Sequence, residues 1–106
     1  MKRVIWLMTV LAVSVPVIPV HAQEIGDTQN GLALAREVCS ACHAIGRALA
    51  RSPNSRSPTF SELATTPGMT VAALTVALTT PHAGMPMFML TADQRRDVIA
   101  YILSLR

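Results

Sequence analysis

The sequence predicts an all-α domain, and three observations carry that expectation. Apolar residues recur at helical spacing in several separate stretches, most of them opened by a residue able to cap a helix. No stretch alternates apolar and polar residues as a half-buried strand would. Beyond residue 22, every proline falls between the helical stretches, so Pro and Gly mark loops where the periodicity stops. There are no internal repeats and no low-complexity tracts.

The elements follow in order. Lys2 and Arg3 precede an apolar run over residues 4–20, and Val20-His21-Ala22 offers a small-residue cleavage pattern. Residues 1–22 read as a secretory signal peptide cut after Ala22. Pro16 and Pro19 interrupt the run, and the part before Pro16 is short for a bilayer-spanning helix, which favours cleavage over retention as an anchor. Residues 23–106 then form one small domain.

Asp27 or Thr28 can cap a first helix running to about Ala44, with Gly31, Ala35, Val38 and Cys42 along one side. Gly31 and Ala35 are small enough to let another helix approach. Residues 47–58, with Ser52-Pro53-Asn54-Ser55 and Ser57-Pro58, read as a loop. One helical turn over 61–65 ends at Pro67-Gly68. Thr70 can cap a short helix over 71–78 that turns Leu74 and Leu78 inward. Pro81, Gly84 and Pro86 make residues 79–90 irregular. Thr91 with Gln94 forms a capping box, and Val98, Tyr101, Ile102 and Leu105 give the final helix its apolar face.

The chemistry concentrates in Cys39-Ser40-Ala41-Cys42-His43. Cys-x-x-Cys-His is the pattern of covalent c-type haem attachment. Cysteines three apart on a helix share a face, so two thiols can reach two vinyl groups on one haem edge while His43 turns its imidazole onto the iron. Cys39 and Cys42 are the only cysteines, so none remains for a structural disulfide. A zinc site needs two further ligands, and His21 and His82 supply no close pair. A thioredoxin-like dithiol needs a strand before the motif, where this chain reads as helix. Export fits haem attachment, because outside the cytoplasm unprotected thiols are oxidised. So short a domain struggles to bury enough apolar surface alone, and we expect it to fold poorly without the haem.

Charge excludes less than the basic isoelectric point suggests. From residue 23 onward the chain carries seven arginines against six carboxylates and no lysine, since Lys2 lies in the leader. The balance is nearly neutral, and two haem propionates shift it towards the acidic side. Nothing here points to nucleic acid, and electrostatic docking to a partner must use arginines or carboxylates. No Ser/His/Asp arrangement, phosphate-cradling loop or carboxylate pair suggests catalysis, and no small-molecule substrate is implied.

Four separated pieces together resemble the small class I cytochromes c of bacteria. They are the Gly31 helix leading into Val38-Cys39-Ser40-Ala41-Cys42-His43; Ser57-Pro58-Thr59-Phe60; His82-Ala83-Gly84-Met85-Pro86-Met87-Phe88; and Val98-Ile99-Ala100-Tyr101-Ile102-Leu103. The resemblance spans residues 31–106. It implies a class I cytochrome c fold of short helices around one covalent haem, with the terminal helices crossing where Gly31 meets Tyr101. It also implies that the Pro58 carbonyl receives a hydrogen bond from His43, which orients the proximal ligand.

The family places a methionine opposite the histidine, often before a proline, and Met85-Pro86 is the matching pair. The residue before proline is biased to extended backbone, which helps hold Met85 as an inward ligand. Met87 and Met89 compete, because alternate residues of an extended segment face the same way, and Met69 stands further back. His82 reads as a loop residue near the haem, with bis-histidine ligation as its alternative. Arg47, Arg51 and Arg56 are candidates for the propionates, though solvated arginines are the plainer reading. Phe60, Phe88 and Tyr101 read as core aromatics packing on helices or haem.

The expected function is a periplasmic, monomeric one-electron carrier, not an enzyme, exchanging electrons with redox partner proteins through one His/Met-ligated haem c. The alternatives are a cytochrome subunit of a periplasmic dehydrogenase or oxidase complex, and an open-site haem enzyme or gas sensor.

Overall fold

The computed structural model describes residues 13–17 and 25–106. Apart from 13–17, which have no regular structure, the expected signal peptide and its cleavage point after Ala22 lie outside the described residues, as do Trp6 and His21. No described helix is long and apolar enough to cross a membrane. The described elements are α1 (Thr28–Leu34), a π-helical segment (Ala35–Cys39), α2 (Phe60–Thr65), α3 (Val71–Thr79) and α4 (Ala92–Leu103), with no strand among them.

Asp27 caps α1: its carboxylate accepts from the amides of Gln29 and Asn30, at 2.8 and 3.0 Å. The other carboxylate in this region, Asp97 on α4, accepts from the Asp27 amide at 2.7 Å, joining the start of the first helix to the last. The two helices touch because Gly31 has no side chain. A Cβ there would lie 2.0 Å from the Asp97 carbonyl oxygen and 2.8 Å from the Tyr101 Cβ. Gly26 makes a second close approach, its virtual Cβ 2.2 Å from the Arg96 carbonyl oxygen.

The first helix does not run on regularly to Ala44. At Ala35 its winding loosens into π geometry, with the Ser40 amide bonded five residues back to the Ala35 carbonyl at 2.9 Å. The Ser40 hydroxyl bonds the Arg36 carbonyl at 2.6 Å and so occupies a group that a continuing helix would use. The motif then closes as a tight turn in which the Cys42 and His43 amides both donate to the Cys39 carbonyl, at 3.1 and 2.9 Å.

Loop 47–58 is tied back to that turn. The Asn54 amide donates to the Cys42 carbonyl at 3.2 Å, and the Ala44 amide to the Ser52 hydroxyl at 3.0 Å. Helix α2 starts one residue before the sequence pattern suggests, because Thr59 and Glu62 form a full capping box. Thr70 caps α3, and Thr91 with Gln94 caps α4, as expected. Ala35, Phe60, Ala64, Leu74, Val98, Ile99, Tyr101, Ile102 and Leu105 make one buried cluster in which α4 supplies the centre. Leu78 packs against it half-buried.

Two arginines secure the far end of α4. Arg47 donates to the carbonyls of Ser104, Leu105 and Arg106, the shortest bond being 2.6 Å to Ser104, the residue that caps α4, and so ties the loop to the chain just past the helix. Arg106 in turn donates to the Ala64 and Met69 carbonyls, at 3.2 and 2.6 Å.

Candidate functional site

Three segments of different character enclose one open cavity of about 510 Å³. The end of the π segment and its turn contribute Val38, Cys39, Cys42 and His43; loop 54–58 and α2 contribute Asn54, Arg56, Ser57, Pro58, Phe60 and Leu63. Helix α3 and residues 82–88 form the opposite wall, with Leu74, Leu78, His82, Met85 and Phe88. The volume is that of a cofactor pocket, and its lining is mostly apolar with a few ligating atoms.

The helix end sets the sulfur positions. Cys39 closes the π segment and Cys42 sits in the following turn, both half-buried and both unpaired. Burial pushes the Cys39 thiol pKa above its ordinary value. A thiol-disulfide oxidoreductase needs the reverse, a first cysteine whose thiolate is favoured, so this environment argues against exchange chemistry.

His43 is oriented by the loop it faces. Its Nδ1 lies 2.7 Å from the Pro58 carbonyl oxygen. A carbonyl can only accept, so Nδ1 carries the proton and Nε2 keeps its lone pair for a metal. The ring also rests against Phe60, with centroids 5.5 Å apart, and Phe60 continues to Tyr101 at 6.2 Å. The Phe60 amide donates to the Ala44 carbonyl at 2.9 Å, and the Tyr101 hydroxyl to the Ile45 carbonyl at 2.6 Å. Helices α2 and α4 therefore brace both the histidine and the chain just after it.

The three methionines of the opposite wall separate by exposure. Met85 is half-buried and lines the cavity, Met87 is 46% exposed, and Met89 is 92% exposed and outside it. Met69 also lines the cavity, from the turn before α3. Of the three arginines considered for propionates, Arg56 lines the cavity, whereas Arg47 is engaged at the end of α4. Sequence reasoning missed that role because the acceptors lie 57 or more residues away. Phe88 lines the cavity wall and is 39% exposed.

The donor set fits a covalently held haem. Two free thiols share one side of an apolar cavity with an imidazole whose Nδ1 faces the Pro58 carbonyl, and a thioether lines the wall contributed by residues 82–88. A second feature of that wall is electrical: from Leu63 to Ala92 no residue carries a formal charge with histidine neutral.

Comparison with known proteins agrees. The family model described as cytochrome c matches residues 28–106. The chain is 35% identical over 82 residues to the cytochrome c-552 of Bradyrhizobium diazoefficiens, covering 76% of each chain. No solved structure matches.

Proposed function

Since the chain belongs to the cytochrome c family of haem c electron-transfer proteins, we propose that it works as a periplasmic one-electron carrier with a His43/Met85-ligated iron. On this reading residues 1–22 direct export and are removed after Ala22, leaving residues 23–106 as the cytochrome domain. Export places the motif where haem is attached and where the thiols of Cys39 and Cys42 are protected by becoming thioethers.

The observation that carries the ligand assignment is the shared cavity. His43, its Nδ1 already committed to Pro58, and Met85, less exposed than Met87 or Met89, both line it. The bound haem supplies an iron that takes up and releases one electron, and His/Met ligation favours its ferrous state, raising the potential. The protein's own work is to hold the two ligands still and to limit water around them. His43 is fixed by the Pro58 carbonyl and the Phe60 ring, so neither charge state requires it to turn. Pro86 restricts Met85 to extended backbone. Small structural change between charge states is what a fast carrier needs. The partners are redox proteins that meet the exposed rim, with the carrier itself monomeric.

The test is the visible spectrum of the dithionite-reduced mature protein before and after carbon monoxide. A low-spin c-type spectrum unmoved by the gas is the expected result. A prompt shift overturns the filled sixth position and moves the function to ligand binding.

A further inference from the structure

Resting on the assignment of Met85 as distal ligand, we propose that His82 is a reserve iron ligand, taking the sixth position when the Met85 sulfur is absent from it. Between residues 23 and 106 the only histidines are His43 and His82, and there is no lysine. His82 is therefore the one side chain beyond His43 with an imidazole or amine nitrogen to offer iron; arginine stays protonated and has no lone pair to give.

Its tautomer is already suitable. His82 Nδ1 lies 3.1 Å from the Thr80 carbonyl oxygen, which can only accept, so a neutral ring bonded there would offer its lone pair at Nε2. This repeats the arrangement of His43 with Pro58. His82 also lines the same cavity as Met85. The two residues form an isolated antiparallel bridge across the turn at Ala83-Gly84, so they stand side by side at its two stems.

The turn is weakly held and able to rotate. The bridge rests on a long bond, 3.4 Å from the Met85 amide to the His82 carbonyl. Residues 80–90 contain no helix. Gly84 sits at φ +82°, a conformation open to glycine, and nothing lies within 4 Å of where its Cβ would be. Both stems already line the cavity, and the turn can exchange one donor for the other without meeting packed side chains at Gly84.

The experiment compares the ferric spectra of holoprotein carrying Met85→Ala, His82→Ala, Met87→Ala and the double substitution Met85→Ala/His82→Ala. His82→Ala and Met87→Ala keep the far-red charge-transfer band that marks methionine sulfur on ferric iron. Met85→Ala loses this band yet stays low-spin, with a lowered reduction potential, because imidazole replaces thioether. The double variant turns high-spin, and added free imidazole restores its low-spin spectrum. If Met85→Ala alone is high-spin, the reserve role of His82 is overturned while the Met85 assignment stands. A sulfur band retained in Met85→Ala also overturns it. Loss of the band in Met87→Ala would then remove the Met85 assignment as well, whereas its survival there would mean that another methionine, Met87 or Met69, holds the position in Met85→Ala.

Discussion

Replacing Gly31 with alanine tests the packing that organises the whole domain. In an unpacked helix this change gains about 1 kcal/mol, since alanine is the better helix former. Here the new methyl would lie 2.0 Å from the Asp97 carbonyl oxygen and 2.6 Å from its carbon, where real contacts stay beyond 3.0 Å. Helices α1 and α4 must therefore part by at least about 1 Å at this point. The obstacle is backbone, so no side chain can swing aside, and the overpacking cost belongs near the top of the usual range, at about 3 kcal/mol. The net loss is about 2 kcal/mol, which in a domain of this size lowers Tm by about 8–16 °C. Thermal unfolding of the ferric holoprotein, followed by far-UV circular dichroism, measures it. Ala33→Gly, on the exposed side of the same helix, provides the control and should cost only about 1 kcal/mol. A Gly31→Ala protein as stable as wild type would refute the reasoning, because α1 and α4 could not then be in backbone contact.

Three further outcomes follow from other parts of the structure. Thr59→Ala removes the acceptor of the Glu62 amide and half of the capping box, and should cost about 1 kcal/mol in denaturant unfolding with the haem spectrum kept. Tyr101→Phe deletes a half-buried hydroxyl bond to the Ile45 carbonyl; the orphaned acceptor makes a loss of about 1–2 kcal/mol the expected result of urea titration. Replacing both Cys39 and Cys42 with serine removes covalent attachment, so intact mass should show the bare polypeptide, and the cooperative thermal transition of the holoprotein should disappear.

What could be read from the sequence was what local chemistry encodes. Thr91 with Gln94, Thr70 and Asp27 announce helix starts because a cap and its target lie within three residues. Thr59 with Glu62 carries the same signal, and the early start of α2 could have been read from it. Gly31 was legible because a glycine inside a helix asks for a reason. The close approach at Gly26 was not, since it falls before the helix, where glycine is unremarkable. The π segment has no signature in residue type; it appears where the Ser40 amide reaches back to the Ala35 carbonyl while the Ser40 hydroxyl takes the Arg36 carbonyl. The helix-end role of Arg47 depends on acceptors at the opposite end of the domain, which no local pattern conveys. The cysteines and His43 were legible as a motif, and the proline after Met85 already favoured it over Met87 and Met89, a preference its lower exposure supports.

The stitching of loop 47–58 decides where this protein can change length. Ser52 and Asn54 are anchored to the turn of the motif, and Pro58 to His43, so an insertion between residues 52 and 58 displaces a group that faces the cavity. Residues 48–51 are exposed, and their recorded backbone bond is a long one, 3.5 Å from the Leu49 amide to the Gly46 carbonyl. Extra residues added there lengthen a surface bight while both anchors keep their places, and the entropic cost of such growth rises only slowly. Size variation, fused peptides and reporter insertions therefore have a natural port of entry at residues 48–51, a few residues from His43 in sequence yet mechanically isolated from it.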